Sequence, residues 1–396
     1  MKRLKYIDGI KGIACFCVFA HHFLLAFYPA YFKGEPSESH FSSQIDVHMA
    51  QSPLSFIVNG QFWVCVFILV SAFLTAKQVF YNDDMERISG SIWKRYFRLM
   101  LPMLVIGIIT WAMDHCGLFI NLEVAQVTGS WWLGSYFGEP LDFQKMLYVV
   151  LYASWFGDVS NTVLVSHAFW MMSYLFIGYF VAMLLTIVVK HTSKWSYIIL
   201  VGAAYLAFCG EHYYYLAVIA GVGLADISRT ICVEKTQKWY HHVICIIILL
   251  IGVYLGGYPS GMVPTNHYSR LPYFLEVNTC VIYHILAAVL VFSVLLYWEP
   301  FQKLCGLKPF CMLGMLCYGV FLMQTPIEFS LTLKVFQDTL NMGSGYHMAV
   351  CVSFIITTIT LLISVWIFHI LVEKNCEKVL NMVQNRLLKK RVVNLE

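Results

Sequence analysis

The chain has 396 residues, of which 59% are hydrophobic and only 12% are charged, and its formal net charge is +4. Soluble domains carry about 25% charged residues, so a chain with a mean hydropathy of +0.69 could not cover its surface in water. This composition excludes a soluble globular protein and predicts a protein of the lipid bilayer.

The 13 cysteines lie mostly in apolar stretches, and no two of them form a CxxC pair. Disulfide frameworks and zinc sites are recognised by regular cysteine spacing, which is missing here. We therefore predict no disulfide framework and no metal site, and we expect the lipid bilayer rather than nucleic acid as a partner.

Ten apolar stretches are candidates for transmembrane helices, which need roughly 17–25 apolar residues each. They lie near residues 10–29, 56–77, 97–116, 167–189, 195–210, 213–227, 240–257, 273–298, 310–329 and 347–371. The fifth and sixth are short, and a further apolar stretch at 145–157 is too short to cross. The sequence thus predicts an all-α, polytopic membrane protein of about ten transmembrane helices.

The distribution of basic residues sets the expected orientation, because cytoplasmic loops are enriched in lysine and arginine. With the N-terminus in the cytoplasm, all but four of the 26 basic residues fall on the inner side. The four exceptions are Lys33, Lys145, Arg270 and Lys334. Both termini are therefore predicted to be cytoplasmic, with one transmembrane domain over 1–373 and a basic cytoplasmic tail over 374–396.

The first apolar stretch carries a cation and an imidazole at helical spacing. Lys11 and His22 are eleven residues apart, which on an α-helix brings them within about 20° of one face and roughly 16 Å apart along the axis. His21 points about 80° away from Lys11. A cation near the inner surface suits a phosphate-bearing cofactor, and a buried imidazole suits a general base. A snorkelling lysine and a structural histidine are the alternatives.

Arg95 and Arg98 form a second candidate site, where the third apolar stretch begins. Residues three apart share a helical face, so the two guanidinium groups can grip the phosphates of a nucleotide together. The alternative is that they are charges that only orient the helix in the membrane.

Other polar and aromatic residues allow more than one interpretation. Trp131 and Trp132 suit either the membrane interface or stacking on a sugar. Ionisable residues inside or near the apolar stretches are interpreted mainly as hydrogen-bonding groups between helices. They are Asp114, Asp226, Glu276, His284, Glu328 and His369.

Seven segments resemble, in chain order, those of the acyltransferase-3 family. They are IDGIKGIACFCVFAHH (7–22), FWVCVFILVSAFLTA (62–76), KRYFRLMLP (94–102), HAFWMMSYLFIGYF (167–180), YLAVIAGVGLAD (215–226), CYGVFLMQTPI (317–327) and FHILVEKNCEKVL (368–380). Each segment alone is weak evidence because it is mostly apolar, whereas the collinear set is specific.

The chain departs from the family pattern at four of these positions. Most relatives carry arginine at Lys11 and glycine at Ala72. Many relatives carry glutamate at Leu175 and histidine at Gln324. The last two departures indicate either a subfamily with another acceptor or reduced activity.

The resemblance implies an O-acyltransferase of the cell membrane, in a bacterial envelope. It would move an acyl group, usually acetyl, from cytoplasmic acyl-coenzyme A to a hydroxyl of a cell-surface glycan or its lipid-linked precursor. Arg95, Arg98 and Lys11 would bind the donor, and His22 would be catalytic, either as the base or as a transient acyl carrier. A transporter or flippase of a lipid-linked sugar and a catalytically silent membrane adaptor remain alternatives.

Overall fold

The computed structural model describes residues 4–81, 85–157, 159–162, 164–192, 195–230, 238–274 and 278–393. Within these ranges, the side chains of 85–92, 159 and 385–393 are not described. Every regular element in the described residues is a helix, and they contain no strand. The prediction of an all-α protein is therefore confirmed.

Ten long helices account for most of the described chain. They are α1 (Lys5–Phe27), α2 (Gly60–Phe80), α3 (Met85–His115), α4 (Met171–His191), α5 (Ser196–Cys209), α6 (Tyr214–Thr230), α7 (Trp239–Gly256), α8 (Asn278–Tyr297), α9 (Lys308–Ile327) and α10 (Tyr346–Phe368). Two of them continue through a π-helical segment. After α9 come Glu328–Thr332 and the helix Leu333–Asn341, and after α10 come His369–Glu373 and the helix Lys374–Val393.

Short helices make up the connections between the long ones. They are Ala30–Lys33, Pro36–Glu38, Ile45–Ala50, Pro53–Val58, Asn121–Thr128, Trp131–Gly134, Phe143–Tyr148, Val149–Ala153, Ser154–Phe156, Val159–Thr162, His267–Arg270 and Glu299–Cys305. Three of these short helices lie over the apolar stretch 145–157. This arrangement is consistent with a stretch that is too short to cross a membrane.

Eight of the described helices are long and apolar enough to cross a membrane. These are α1, α2, α4, α7, α8, the Trp93–His115 part of α3, and the extended helices that contain α9 and α10. Helices α5 and α6, at two of the ten predicted crossings, have 14 and 17 residues and are not among them. The protein is thus a multi-pass membrane protein, while ten crossings and the orientation of both termini remain predictions.

The outward surfaces of the long helices are apolar. In α7, Ile247 is 51% exposed and Leu250 is 62% exposed, and in α10 Ile355 and Ile363 are 58% and 57% exposed. Contiguous apolar side chains on a surface would be unfavourable in water, whereas hydrocarbon tails solvate them. These helix faces are therefore suited to contact lipid.

The chain comprises two compact units. Unit 1 comprises Met1–Tyr81, Ala125–Leu133 and Ile177–Cys317. Unit 2 comprises Asn82–Val124, Gly134–Phe176 and Tyr318–Glu396.

Glycines allow helix backbones to touch in unit 1. A Cβ atom added at Gly12 of α1 would collide with the carbonyl of Phe310, and one added at Gly314 of α9 would collide with the carbonyl of Asp8. Helices in a membrane gain little from hydrophobic burial against each other, so close backbone packing is a main source of their association. This contact fixes the part of α1 that carries Lys11.

A second close contact in unit 1 joins two of the family-like segments. A Cβ atom added at Gly221 of α6 would lie 2.6 Å from the Leu69 carbonyl oxygen and 2.9 Å from the Ala72 Cβ of α2. Ala72 therefore lies at a helix crossing that admits only small residues.

In unit 2, α3 packs against four other segments. It contacts the helix Phe143–Tyr148, the π-helical segments Val149–Ala153 and His369–Glu373, and the helix Lys374–Val393. At Gly107 of α3, an added Cβ would come within 3.0 Å of Val150. This packing brings the N-terminal part of α3, which carries the paired arginines, to the closing segment of the chain.

The glycine contact between α1 and α9 predicts a steric effect of substitution. Gly314→Val should lower the melting temperature of the detergent-solubilised protein, because overpacking of this kind costs about 1–3 kcal/mol. Gly202→Val is the matched control, since an added Cβ at Gly202 of α5 meets no atom within 4 Å. Equal melting temperatures for the two variants, measured by scanning fluorimetry, would contradict the assigned backbone contact.

Candidate functional site

Lys11 and His22 lie on α1, in unit 1, as the spacing predicted. The helix runs without a break from Lys5 to Phe27, so the two residues share a face and are roughly 16 Å apart along its axis. Both side chains are partly exposed. The geometry of the pair is therefore the expected one, and the donor-binding and catalytic roles remain predictions.

Lys11 has an acidic partner that the sequence analysis did not consider. Its Nζ atom lies 3.0 Å from Oδ1 of Asp8, one helical turn earlier. The two side chains are 24% and 14% exposed, so the pair is only partly shielded from its surroundings. Asp8 reduces the net positive charge that this end of α1 presents to an anion.

The imidazole of His22 stacks on the indole of Trp132. The ring centroids are 5.7 Å apart and the planes differ by only 7°. Trp132 is 5% exposed, so a buried indole covers one face of the imidazole. The stacking fixes the plane of the His22 ring, and an indole face also favours a cationic imidazole when one forms.

Ser130 attaches this tryptophan to α1. Its hydroxyl donates to the Leu25 carbonyl at 2.6 Å and accepts from the backbone N–H of Leu133 at 3.2 Å. Both partners lie close in sequence to the stacked rings, and Ser130 is 2% exposed. One buried hydroxyl therefore couples the loop that carries Trp132 to the helix that carries His22.

His21 has a different environment from His22. Its Nδ1 atom lies 2.9 Å from the Val58 carbonyl oxygen, and this distance assigns the N–H to that nitrogen. The ring also packs against the edge of Phe32 and over Gly60, where an added Cβ would lie 2.5 Å from it. These contacts are those of a structural histidine.

Arg95 and Arg98 lie on α3, in unit 2. A guanidinium N–H of Arg95 donates to the Leu175 carbonyl oxygen at 3.4 Å, and Arg98 is exposed. Leu175 supplies a backbone atom, so this contact does not depend on the identity of its side chain. The exposed guanidinium of Arg98 can reach a ligand at the surface.

The last of the seven family-like segments (368–380) brings the acidic side chain of Glu373 to the region of unit 2 that contains Arg98. The Tyr318 hydroxyl donates to the carbonyl of Leu99, next to Arg98, at 2.5 Å. At the following residue, Gly319, an added Cβ would lie 3.4 Å from Oε1 of Glu373. The other oxygen of Glu373 lies 2.6 Å from Nδ1 of His369. The interpretation of His369 as a link between helices is therefore wrong, since its partner is one turn further along its own helix.

His284 of unit 1 does link separate elements. Its Nε2 atom lies 3.1 Å from the amide nitrogen of Asn59 and 2.9 Å from the carbonyl oxygen of Tyr258, and the ring is fully buried. This arrangement ties α8 to the start of α2 and matches the structural interpretation.

The remaining ionisable residues differ in their surroundings. Asp114 accepts a hydrogen bond from the backbone N–H of Leu141 at 2.6 Å. Asp226 forms an ion pair with Arg229 of its own helix. Glu276, which the sequence analysis named, lies outside the described residues.

Unit 2 also contains a buried polar cluster that sequence reasoning missed. His167 and Glu328 approach each other to 3.8 Å, between Nε2 and Oε2, and are 3% and 4% exposed. His167 begins the fourth family-like segment, and Glu328 directly follows the sixth. The position of each residue beside a recognised segment was the signal available in the sequence, but nothing in it indicated their proximity.

The role of Ser130 can be tested through stability. Ser130→Ala removes both the hydrogen bond that Ser130 donates to the Leu25 carbonyl and the one that it accepts from the Leu133 N–H, so we expect a loss of about 1–3 kcal/mol and a lower melting temperature. Ser42→Ala, at an exposed serine of the same unit, is the control. If both variants had the melting temperature of the wild type, Ser130 would not stabilise the attachment of this loop to α1.

Comparisons with known proteins identify the family. A family model described as an acyltransferase domain matches residues 4–369, nearly the whole chain. No curated protein and no solved structure gives a significant match. A match of this extent shows that the chain belongs to the acyltransferase-3 family, which indicates a membrane acyltransferase.

Proposed function

We propose that the protein transfers an acyl group, acetyl in the simplest case, from cytoplasmic acyl-coenzyme A to a hydroxyl of a cell-envelope glycan or its lipid-linked precursor. The observation that carries this proposal is the family match over residues 4–369. Eight helices able to cross a bilayer support a reaction at the cell membrane.

The donor carries several phosphate groups, which need cationic partners. Arg95 and Arg98 supply two guanidinium groups on one helix, and Arg98 is exposed. Guanidinium forks bind phosphate through paired, charge-assisted hydrogen bonds. Lys11, which forms an ion pair with Asp8, is assigned a secondary role in binding the donor.

His22 is assigned the chemistry of the transfer, by one of two routes. As a base, its imidazole takes the proton of the acceptor hydroxyl, the oxygen attacks the thioester carbonyl, the C–S bond breaks, and the thiolate takes up the proton. As a carrier, the imidazole attacks the thioester carbonyl, the C–S bond breaks, and the thiolate takes up the N–H proton of the imidazole. The acceptor oxygen then attacks the acyl-imidazole, the C–N bond breaks, and the proton of the acceptor hydroxyl returns to the imidazole. The fixed ring plane against Trp132 supports both routes.

The catalytic assignment predicts a large loss of rate without loss of donor binding. His22→Ala should reduce transfer of label from radiolabelled acetyl-coenzyme A to glycan or water by about a hundredfold or more, as expected when a general base or nucleophile is removed. His48→Ala, at an exposed histidine, is the control.

Full transfer by a correctly folded His22→Ala variant would overturn the assignment of His22. Absence of both turnover and donor binding in the wild type would instead favour the transporter or the silent adaptor.

The donor-binding assignment makes a separate prediction. Arg98→Ala and Arg95→Ala should each raise the Kd for acetyl-coenzyme A by about ten- to a hundredfold, since a hydrogen bond to a charged group contributes about 1.5–3 kcal/mol. The effect should weaken at high salt. Arg270→Ala, at an exposed arginine predicted on the outer side, should leave the Kd unchanged. An unchanged Kd in the two α3 variants, measured by calorimetry, would exclude these arginines from the donor site.

A further inference from the structure

Four buried polar side chains form a continuous chain in unit 2. The hydroxyl groups of Ser166 and Thr325 are 2.7 Å apart, and the Thr325 hydroxyl lies 3.1 Å from Nδ1 of His167. The other ring nitrogen of His167 faces Oε2 of Glu328 at 3.8 Å. All four residues are at most 4% exposed.

Glu328 stands out within this chain because its carboxyl group is not satisfied. Neither oxygen has a hydrogen-bond partner among the described residues, and 3.8 Å to His167 is too long for a hydrogen bond. A buried carboxylate without partners costs several kcal/mol, and such groups are rare in proteins. A purely structural glutamate would be hydrogen-bonded, so the arrangement points to a ligand or a proton from outside the chain.

Glu328 lies in an uncommon type of helical segment. The residue begins the π-helical segment Glu328–Thr332, shortly after Pro326. Thr332 secures the other end of the segment, since its hydroxyl is 2.7 Å from that of Thr357 and 3.1 Å from the Ile327 carbonyl. Single π-helical turns inside α-helices are frequent at functional sites.

Aromatic rings enclose the His167 side of the pair. The Phe329 ring lies over the imidazole at 6.0 Å with a 30° angle, and the edge of Tyr136 approaches it at 6.1 Å. Tyr136 and Phe329 also pack on each other at 5.4 Å. These rings exclude water from one side of the imidazole and fix its orientation toward Glu328.

The hydrogen bonds of this chain can run in either direction. If Thr325 donates to Nδ1, then Nε2 carries a hydrogen toward an ionised Glu328. If Nδ1 donates to Thr325, and Thr325 to Ser166, then the Nε2 lone pair faces a protonated Glu328. The second state holds one more proton than the first, so this chain can take up a proton at Glu328, with a change of the His167 tautomer and little movement of heavier atoms.

We propose that Glu328 is a second catalytic residue, which accepts the proton of the acceptor hydroxyl, and that His167 is the positioning residue that shares this proton. The inference rests on the proposed function. In the step, the O–H bond of the acceptor breaks and its proton goes to a Glu328 oxygen. The acceptor oxygen bonds to the acyl carbon, the bond from that carbon to its leaving group breaks, and the leaving group receives the proton.

The first test separates catalysis from stability. Glu328→Gln keeps the shape of the side chain and removes an unpaired carboxyl group, so its melting temperature should equal or exceed that of the wild type. Its rate of label transfer from acetyl-coenzyme A should fall by about a hundredfold or more, with the Kd for the donor unchanged. Glu139→Gln, at an exposed glutamate of the same unit, should transfer at the wild-type rate.

The second test uses chemical rescue, which a structural role would not produce. Formate should restore transfer in Glu328→Ala, because a free carboxylate can occupy the vacated space and accept the proton. Rescue should be weaker in the double variant with His167→Phe, which keeps a ring against Phe329 but loses both nitrogens. Formate should not restore transfer in His22→Ala.

The outcomes distinguish the two proposals. Turnover by the wild type together with wild-type rates in Glu328→Gln, or a loss in Glu328→Ala that formate does not restore, would overturn the role of Glu328 and leave the proposed function intact. Absence of turnover and donor binding in a folded wild-type protein would overturn the proposed function and this inference with it.

Discussion

A polar group inside a bilayer must find its partner within the protein, because hydrocarbon offers no hydrogen bonds. This constraint accounts for the positions of most buried polar side chains described above. His21 bonds to a backbone carbonyl, and Ser130 bonds both to α1 and to its own loop. Glu328 breaks the pattern, and for that reason it carries more functional information than the satisfied groups around it.

The same solvent also changes what holds helices together. Since lipid tails are as apolar as leucine, burying leucine between two helices gains little, and close contact between backbones matters more. Gly12 and Gly314 provide such a contact between α1 and α9, and Gly221 provides one between α6 and α2. In unit 1, the contact with α9 holds the part of α1 that carries Lys11, and His22 follows about three turns later on the same helix.

Local sequence patterns predicted the structural features that depend on residues close together in the sequence. Apolar length predicted the long helices, and helical spacing predicted that Lys11 and His22 would share a face. For helices α5 and α6, the length of the apolar stretch did not decide whether the helix crosses the membrane. The stacking of Trp132 on His22 joins residues 110 positions apart, and the approach of Glu328 to His167 spans 161 positions. Periodicity contains no information on such contacts, so Trp132 was assigned to the interface or to sugar stacking, and Glu328 to bonding between helices.

The π-helical segments have a consequence for how this chain tolerates change in length. A π-helical turn holds one more residue than an α-helical turn would over the same stretch. Deleting one residue from Glu328–Thr332 would let this stretch close into regular α geometry, and the fully buried Leu333 and Phe336 would keep their places. The same deletion in an α-helical stretch would turn every following side chain by about 100° and shift it by about 1.5 Å. The π-helical segment is therefore the part of this helix where the loss of one residue changes the facing of the following side chains least.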